Sequence, residues 1–202
     1  MSELERWETT YGTAEYVFGT APNRFLASCK PLLPKTGKAL AVADGEGRNG
    51  VWLAEQGLDV LSVDFSPTAQ DKARRLAAAK GVSVTFALGD AHAWVYPSAA
   101  YDVVIDIFTQ FSPPDARARK WGGLLDSLKS GGLLIVQGYT PRQLHYGTGG
   151  PRQVENLYTR EILIEAFGHL RDVRITEEET ELDEGPRHRG MSAIIGLTAR
   201  KP

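Results

Sequence analysis

The stretch Ala43-Asp44-Gly45-Glu46-Gly47-Arg48-Asn49-Gly50 decides the fold, because its glycines follow a short apolar run and precede a segment with helical spacing. Gly45, Gly47 and Gly50 are spaced as G-x-G-x-x-G. Glycines at this spacing let the backbone approach a ligand closely, and the N-terminus of the following helix presents free N–H groups to it. The stretch therefore predicts a ligand-binding loop between a strand and a helix.

The chain around this loop alternates between strand and helix patterns. Short apolar runs bounded by glycine or proline predict buried strands, and apolar residues three and four apart predict helices. Ser66 followed by Pro67 is a typical helix start. The predicted strands are 38–43, 58–63, 82–88, 101–108, 132–137, 172–180 and 192–199, and the predicted helices are 49–56, 66–79, 113–129 and 159–167.

This order of elements predicts an α/β fold. Five strands that alternate with helices favour a mostly parallel sheet covered on both faces, with right-handed crossovers. The last two strands have no helix between them. The turn-rich Asp183-Glu184-Gly185-Pro186 is expected to join them as an antiparallel hairpin at the sheet edge.

An acidic residue follows the second strand at an informative distance from the loop. Asp64 lies 19 residues beyond Gly45 (64 − 45) and is placed at the C-terminal tip of that strand. A carboxylate there can accept hydrogen bonds from both ribose hydroxyls of a bound nucleotide. The loop and the acidic tip together predict an adenosine-ribose ligand, and they leave NAD and S-adenosylmethionine (SAM) as alternatives.

Three features favour SAM over NAD. About 37 residues precede the first strand, whereas dinucleotide-binding domains often begin near it. Gly89-Asp90-Ala91 follows the third strand, where the Asp90 carboxylate is placed to accept the amino hydrogens of adenine. The third feature is the C-terminal hairpin.

The motifs resemble, in order, those of class I SAM-dependent methyltransferases. They are Ala43 to Asn49, Val63-Asp64-Phe65-Ser66-Pro67, Gly89-Asp90-Ala91 and Gly131-Gly132-Leu133-Leu134. An N-terminal segment with Trp7, Tyr11, Tyr16, Phe18, Gly19 and Asn23 is similar to that of the bacterial branch related to the tellurite-resistance methyltransferases.

The resemblance implies a Rossmann-like three-layer sandwich whose seven strands run in the order 3-2-1-4-5-7-6. It implies one domain over residues 1–202, in which residues 1–37 cover the cofactor and 38–202 form the core. It also implies SAM as the cofactor, S-adenosylhomocysteine as its product and a small-molecule methyl acceptor. The expected cofactor-binding residues are Tyr11, Tyr16, Phe18, Gly19, Ala43, Asp44, Gly45, Glu46, Arg48, Asp64, Phe65, Ser66, Gly89, Asp90, Ala91 and Ile107.

The methionine end of the site departs from the family pattern. Ala41 and Ala43 stand where an acidic residue is common, so Asp44 and Glu46 are expected to meet the methionine amino group. A buried ammonium needs such a partner. Arg48 is expected either to pair with the methionine carboxylate or to brace a neighbouring acid. For the N-terminal aromatic residues the alternative to covering the cofactor is core packing.

Three residues are candidate catalytic groups near the predicted acceptor site. Asp106 lies at the tip of the fourth strand and is expected to act as a base or to hold a helix or a water. His145 and Tyr146 lie in the long loop after the fifth strand, which is predicted to be either a binding loop or a plain surface loop. Ser112-Pro113-Pro114-Asp115 lacks the aromatic residue of nucleobase methyltransferases, which disfavours nucleic-acid substrates.

Composition and charge limit the possible partners and the location of the protein. The net charge of −2 and the scattered basic residues disfavour nucleic-acid binding, and no apolar run predicts a membrane span or a signal peptide. The single cysteine, Cys29, favours a reducing, cytoplasmic location. The histidines show no metal-ligand spacing, so no metal is expected. A monomer or homodimer is expected, and the competing functions are a non-catalytic SAM-binding module and an NAD(P)-dependent oxidoreductase.

Overall fold

The computed structural model describes residues 2–202, which form six α-helices and one seven-stranded sheet. The strands are β1 (Lys38–Val42), β2 (Asp59–Asp64), β3 (Thr85–Leu88), β4 (Tyr101–Ile107), β5 (Leu128–Tyr139), β6 (Arg171–Asp183) and β7 (Arg189–Arg200). The helices are α1 (Glu3–Tyr11), α2 (Arg24–Ser28), α3 (Arg48–Glu55), α4 (Pro67–Lys80), α5 (Pro114–Ser127) and α6 (Arg160–Phe167).

The sheet has the order β3-β2-β1-β4-β5-β7-β6, which confirms the predicted topology. Strands β1 to β5 pair in parallel, and β7 pairs antiparallel with both β5 and β6. Because the five parallel strands end at the same edge, the loops that follow them meet there. The reversal of strand order between β1 and β4 sets the position of the site.

The two faces of the sheet carry separate apolar cores. Along β1, Ala39 and Ala41 pack with residues of α2 and α3, such as Leu26 and Leu53. Leu40 and Val42 point to the opposite face and join α5 and α6. This alternation is the two-residue period of a strand buried on both sides.

The helix boundaries follow local capping chemistry. The Ser66 hydroxyl accepts a hydrogen bond from the Ala69 N–H with Pro67 as the first helical residue, which confirms the predicted start of α4. The sequence prediction contained no helix in the N-terminal segment. The signal for α1 was present as a capping box, in which Ser2 and Glu5 bond each other's backbone N–H groups.

Most strand boundaries differ from the prediction, by up to four residues. Strand β5 begins at Leu128 rather than at 132, because Leu128 pairs with Tyr101 before a register shift in the β4–β5 ladder. Strand β3 begins at Thr85 rather than at 82. Within residues 2–202, no helix combines the length and the apolar character that crossing a bilayer requires.

A buried ion pair joins the middle of the sheet to α5. The Lys120 ammonium donates to Asp106 Oδ1 at 2.8 Å, and Trp121 Nε1 donates to Asp106 Oδ2 at 2.8 Å. Both charged side chains are fully buried. Burial lowers the pKa of Lys120 from its ordinary value, and the adjacent carboxylate opposes that shift. Asp106 is therefore a structural residue of the core. Of the roles expected for it, the structure contains the one in which it holds a helix, here α5, and the expectation that it acts as a base is corrected.

We expect Asp106→Ala to lower the free energy of unfolding by about 3–5 kcal/mol, because it leaves the Lys120 charge buried without a partner. The double variant Asp106→Leu/Lys120→Met removes both charges and is expected to be more stable than Asp106→Ala alone. Urea unfolding followed by circular dichroism measures all three. Asp71→Ala, which breaks an exposed pair with Arg74, is the control. Equal losses from Asp106→Ala and Asp71→Ala would contradict a structural role for the buried pair.

Candidate functional site

A cavity of about 1110 Å³ lies at the carboxyl edge of the parallel strands. Its wall contains the residues that directly follow four strands, namely Ala43 after β1, Phe65 after β2, Gly89 after β3 and Phe108 after β4. Tyr139 at the end of β5 also lines it. The volume is at the upper end of ordinary small-molecule sites, so it has room for more than one small ligand.

Most of the predicted binding residues line this cavity. They are Tyr11, Phe18, Ala43, Asp44, Gly45, Glu46, Arg48, Asp64, Phe65, Gly89, Asp90, Ala91 and Ile107. The sequence motifs therefore identify the edge of the sheet at which the cavity lies. The capacity of each side chain to bind a ligand depends on the hydrogen bonds and ion pairs that it already forms within the protein.

Three predicted binding residues do not line the cavity. Tyr16 packs away from it, and its hydroxyl donates to the carbonyl oxygen of Lys72 at 3.0 Å. Ser66 caps α4, and its hydroxyl donates to Glu8 of α1. Gly19 has a φ of 70° and forms a turn against the backbone of Glu184. Each of these residues connects the N-terminal segment to the core.

The structure does not bring the predicted catalytic residues His145 and Tyr146 to the cavity. They lie at and just after the end of a 3-10 helix, Pro141–His145, which packs against β7. The Gln143 side chain accepts a hydrogen bond from the Ala193 N–H at 2.9 Å and holds this helix there. His145 is exposed, and the Tyr146 hydroxyl donates to Glu179 on β6. Both expectations are corrected.

The glycine loop has a left-handed backbone that few side chains tolerate. Gly45 and Gly47 have φ values of 56° and 84°, and Ala43 adopts 49°. A Cβ on Gly47 would lie 2.6 Å from the Cβ of Ala73 on α4. Glycine is therefore required at position 47 both for its conformation and for the close packing of the loop on α4.

Backbone N–H groups hold the Asp64 carboxylate in the cavity wall. Gly45 donates to Oδ2 at 2.8 Å, and Ser66 donates to Oδ1 at 2.9 Å. Burial raises the pKa of Asp64, and these hydrogen bonds oppose the shift. Each carboxylate oxygen accepts two or more hydrogen bonds, so both retain capacity for a ligand donor.

Asp44 is a second carboxylate of the wall whose hydrogen-bond donors within residues 2–202 are all neutral. It accepts hydrogen bonds from the Gly50 N–H at 3.1 Å and from the Ser62 hydroxyl at 2.8 Å. Burial raises its pKa to about 7. A cationic ligand group beside it would favour the ionised form.

Glu46 and Arg48 are both engaged in buried ion pairs. Glu46 Oε1 accepts from Lys72 at 2.7 Å, and its Oε2 accepts from the Val17 N–H at 2.7 Å. Arg48 donates to Glu184 Oε2 at 2.8 Å. Arg48 therefore has the second of its two expected roles, in which it pairs with a neighbouring acid, here Glu184.

Glu184 is a buried residue that the sequence analysis treated only as part of a turn. Its carboxylate accepts from Arg48, from Asn23 Nδ2 at 3.1 Å and from the Arg24 N–H at 2.8 Å. We call Glu184, Arg48, Asn23 and the Arg24 N–H the Glu184 network. It joins the hairpin turn, the glycine loop and the N-terminal segment beside the cavity.

Aromatic rings form a continuous part of the cavity wall. Trp7 stacks on Tyr11 with ring centroids 5.3 Å apart, and Phe18 lies edge-on to Tyr11 at 6.3 Å. Phe18 then contacts His188 at 4.6 Å, and Phe108 contacts His188 at 4.4 Å. The N-terminal residues of this group bring the segment before β1 over the cavity.

His188 is the main site residue that sequence reasoning missed. It follows the hairpin turn, lines the cavity and is 8% exposed. Burial, with a smaller contribution from the Arg48 charge, lowers the pKa of His188 to about 3. Its imidazole is therefore uncharged at neutral pH.

This pKa shift makes part of the stability depend on pH. The unfolded chain binds a proton on His188 near pH 6.5 and the folded chain only near pH 3, so acid favours unfolding between these values. Between about pH 7 and about pH 4.5, we expect His188→Phe to lose roughly 2–3 kcal/mol less stability than the parent. Urea unfolding at each pH measures this, with exposed His169→Phe as the control. Parallel pH curves for the parent and His188→Phe would contradict the assignment.

Residues 39–132 match the model of a family described as a methyltransferase domain. A demethylmenaquinone methyltransferase of Thermus thermophilus is 34% identical over 106 residues, which are 52% of this chain and 48% of that protein. The chain thus matches about half the length of this curated relative.

Solved structures share the fold over nearly the whole chain. One, from work on the conversion of a disulfide bond into a thioacetal group during echinomycin biosynthesis, has a TM-score of 0.77 and 17% identity. The matched part covers 99% of this chain and 92% of the solved chain. TehB from Haemophilus influenzae has a TM-score of 0.70 and is 16% identical. The matched part covers 98% of this chain and 67% of the TehB chain.

Proposed function

We propose that this chain is a class I SAM-dependent methyltransferase and that it transfers a methyl group from SAM to a small-molecule acceptor. The product of the cofactor is S-adenosylhomocysteine. The observation that carries the proposal is the Asp64 carboxylate, which two backbone N–H groups hold at the tip of β2 beside the glycine loop. This is the arrangement expected for binding an adenosine ribose.

The residues along the cavity fit the other parts of SAM. Asp90 and its neighbours Gly89 and Ala91 are proposed to bind adenine, and half of the Asp90 side chain is exposed for this purpose. Asp44 is proposed to bind the methionine ammonium, because Glu46 already pairs with Lys72. Within residues 2–202, the Asp44 carboxylate accepts hydrogen bonds only from neutral groups of the chain, the Gly50 N–H and the Ser62 hydroxyl.

The N-terminal segment, residues 1–37, is proposed to cover the cofactor. Trp7, Tyr11 and Phe18 bring aromatic faces to the cavity, and such faces attract a sulfonium cation. Covering the site also excludes water from the reaction. The Glu46 carboxylate supports this placement, because it accepts hydrogen bonds from the Val17 and Phe18 N–H groups.

When bound, SAM would supply an electrophilic methyl carbon, which an acceptor lone pair displaces in line while the C–S electron pair stays on sulfur. The residues of the chain contribute by holding the two reactants in alignment and by excluding water. The name of the Thermus relative supports an organic small molecule as the acceptor.

We propose a monomer or homodimer in the cytoplasm, without nucleic-acid partners. The buried lone cysteine, Cys29, and the net charge of −2 support this assignment. A SAM-binding module without catalysis is the second candidate. The site residues that sequence analysis expected to act as bases, His145 and Asp106, lie outside the cavity wall, and this observation favours the second candidate.

Isothermal titration calorimetry with SAM, S-adenosylhomocysteine and NADH tests the cofactor. We expect micromolar binding of the first two and none of NADH. Binding of NADH alone would overturn the proposal. Retained SAM binding without methyl release to any acceptor in a broad screen would favour the non-catalytic module.

We expect Asp64→Ala to weaken SAM binding at least about tenfold, because charge-assisted hydrogen bonds to the ribose contribute roughly 1.5–3 kcal/mol. Calorimetry measures the affinity, and circular dichroism checks that the variant folds. Asp71→Ala is the matched control, since it removes an exposed carboxylate from α4. An unchanged affinity in folded Asp64→Ala would contradict the ribose assignment.

A further inference from the structure

The cavity extends across both halves of the sheet. The residues proposed to bind SAM follow β1, β2 and β3, which form one half. The other half of the wall contains Phe108 after β4, Tyr139 at the end of β5 and His188 just before β7. We call Phe108, Tyr139 and His188 the aromatic subsite. Since the proposed cofactor uses the first half, the second half is the place for the methyl acceptor.

His188 lies at the centre of the aromatic subsite. Its ring centroid is 4.4 Å from that of Phe108 and 5.9 Å from that of Tyr139. Its Nδ1 is enclosed and has no hydrogen-bond partner among residues 2–202. Nε2 is not enclosed in this way, and within the same residues no side chain or backbone group bonds to it. The imidazole therefore offers a ligand one open hydrogen-bonding atom.

The backbone of Phe108 gives independent support for a binding role. Phe108 has a φ of 56°, a left-handed conformation that costs a residue with a side chain about 1 kcal/mol or more. The Phe108 N–H donates to the Gln137 carbonyl oxygen at 2.8 Å, which holds the chain in this conformation. Strained residues of this kind cluster at ligand sites, and here the strain turns an aromatic ring into the cavity wall.

The aromatic subsite carries no charge near neutral pH. Burial lowers the pKa of His188 to about 3 and raises the pKa of Tyr139 well above its ordinary value, so both side chains are neutral. The nearby Arg48 is already paired with Glu184. The three rings supply no counter-charge to a carboxylate or an inorganic anion, although Arg152 and Arg187 also line the cavity. A flat apolar ring would instead pack well on the aromatic faces.

We propose that Phe108, Tyr139 and His188 bind a flat, uncharged organic ring of the acceptor, and that a hydroxyl group on this ring hydrogen-bonds Nε2 of His188. The inference rests on the proposed function and names the class of its substrate. His188 is then a specificity-determining residue, which selects ring compounds that carry a hydrogen-bonding group.

Ligand-observed NMR on the protein saturated with S-adenosylhomocysteine tests this proposal, with 2-naphthol, naphthalene and 2-naphthoate as probes. We expect 2-naphthol to bind most tightly and 2-naphthoate to bind most weakly. In His188→Phe, which keeps a ring but no hydrogen-bonding atom, we expect 2-naphthol to bind about tenfold more weakly and naphthalene to bind unchanged. In His188→Gln, whose amide lies near the position of Nε2, we expect most of the 2-naphthol affinity to return.

The comparison of the two probes separates recognition from folding. A purely structural role for His188 would weaken 2-naphthol and naphthalene equally, and this result would overturn the proposal. Failure of 2-naphthol to bind the parent protein, or binding that His188→Phe leaves unchanged, would overturn it as well. His169→Phe is the matched control and is expected to behave as the parent.

A measurement on the same samples distinguishes failure of the proposed function from failure of the acceptor inference. Calorimetry first measures S-adenosylhomocysteine binding to the parent and to each His188 variant, and we expect affinities within about twofold of one another. Absence of this binding in the parent would mean that the proposed function fails. Normal binding of S-adenosylhomocysteine together with no preference for 2-naphthol would mean that only the acceptor inference fails.

Discussion

The shape of the site depends on the buried carboxylate of Glu184. A buried charge is costly unless it is paired and hydrogen-bonded, and here Arg48 and Asn23 supply these contacts. Arg48 begins the helix after the glycine loop, Asn23 caps α2 and Glu184 lies in the hairpin turn. Satisfying one carboxylate therefore brings three distant parts of the chain together around the cavity. Asn23 Nδ2 also donates to Gln137 on β5, which extends the network to the middle of the sheet.

The acidic residues around the cavity have two different kinds of partner. Glu46 and Glu184 are neutralised by Lys72 and Arg48, so their charges are used within the protein. Asp44 and Asp64 receive only neutral donors, and burial raises the pKa of each. This difference suits Asp44 for a cationic group and Asp64 for hydroxyl donors. The bracing acids hold the covering segment and the hairpin turn in place, and the other two remain available to a ligand.

The two halves of the sheet divide the site in a way that suits a two-reactant transfer. Strands β1 to β3 place carboxylates and backbone N–H groups in the wall, and strands β4, β5 and β7 place uncharged aromatic groups there. The carboxylates and N–H groups of the first half match a charged cofactor, and the aromatic rings of the second half match an organic acceptor. Phe18 contacts His188 and lies near Tyr11, so the N-terminal segment spans the boundary between the halves.

The sequence patterns by themselves determined the alternation of strands and helices, the glycine loop and the acidic tip at Asp64, whereas the order of the strands in the sheet was implied only by the family resemblance of the motifs. These features depend on local periodicity, on the φ values that glycine permits and on the rule that parallel strands end at one edge. The tertiary structure alone decided what each side chain does. Asp106 is paired with Lys120, and Glu46 with Lys72, because helices α5 and α4 pack there. His188 reaches the cavity because the hairpin folds back on the Glu184 network. Such pairings join residues far apart in the chain, and a local pattern carries no information about them.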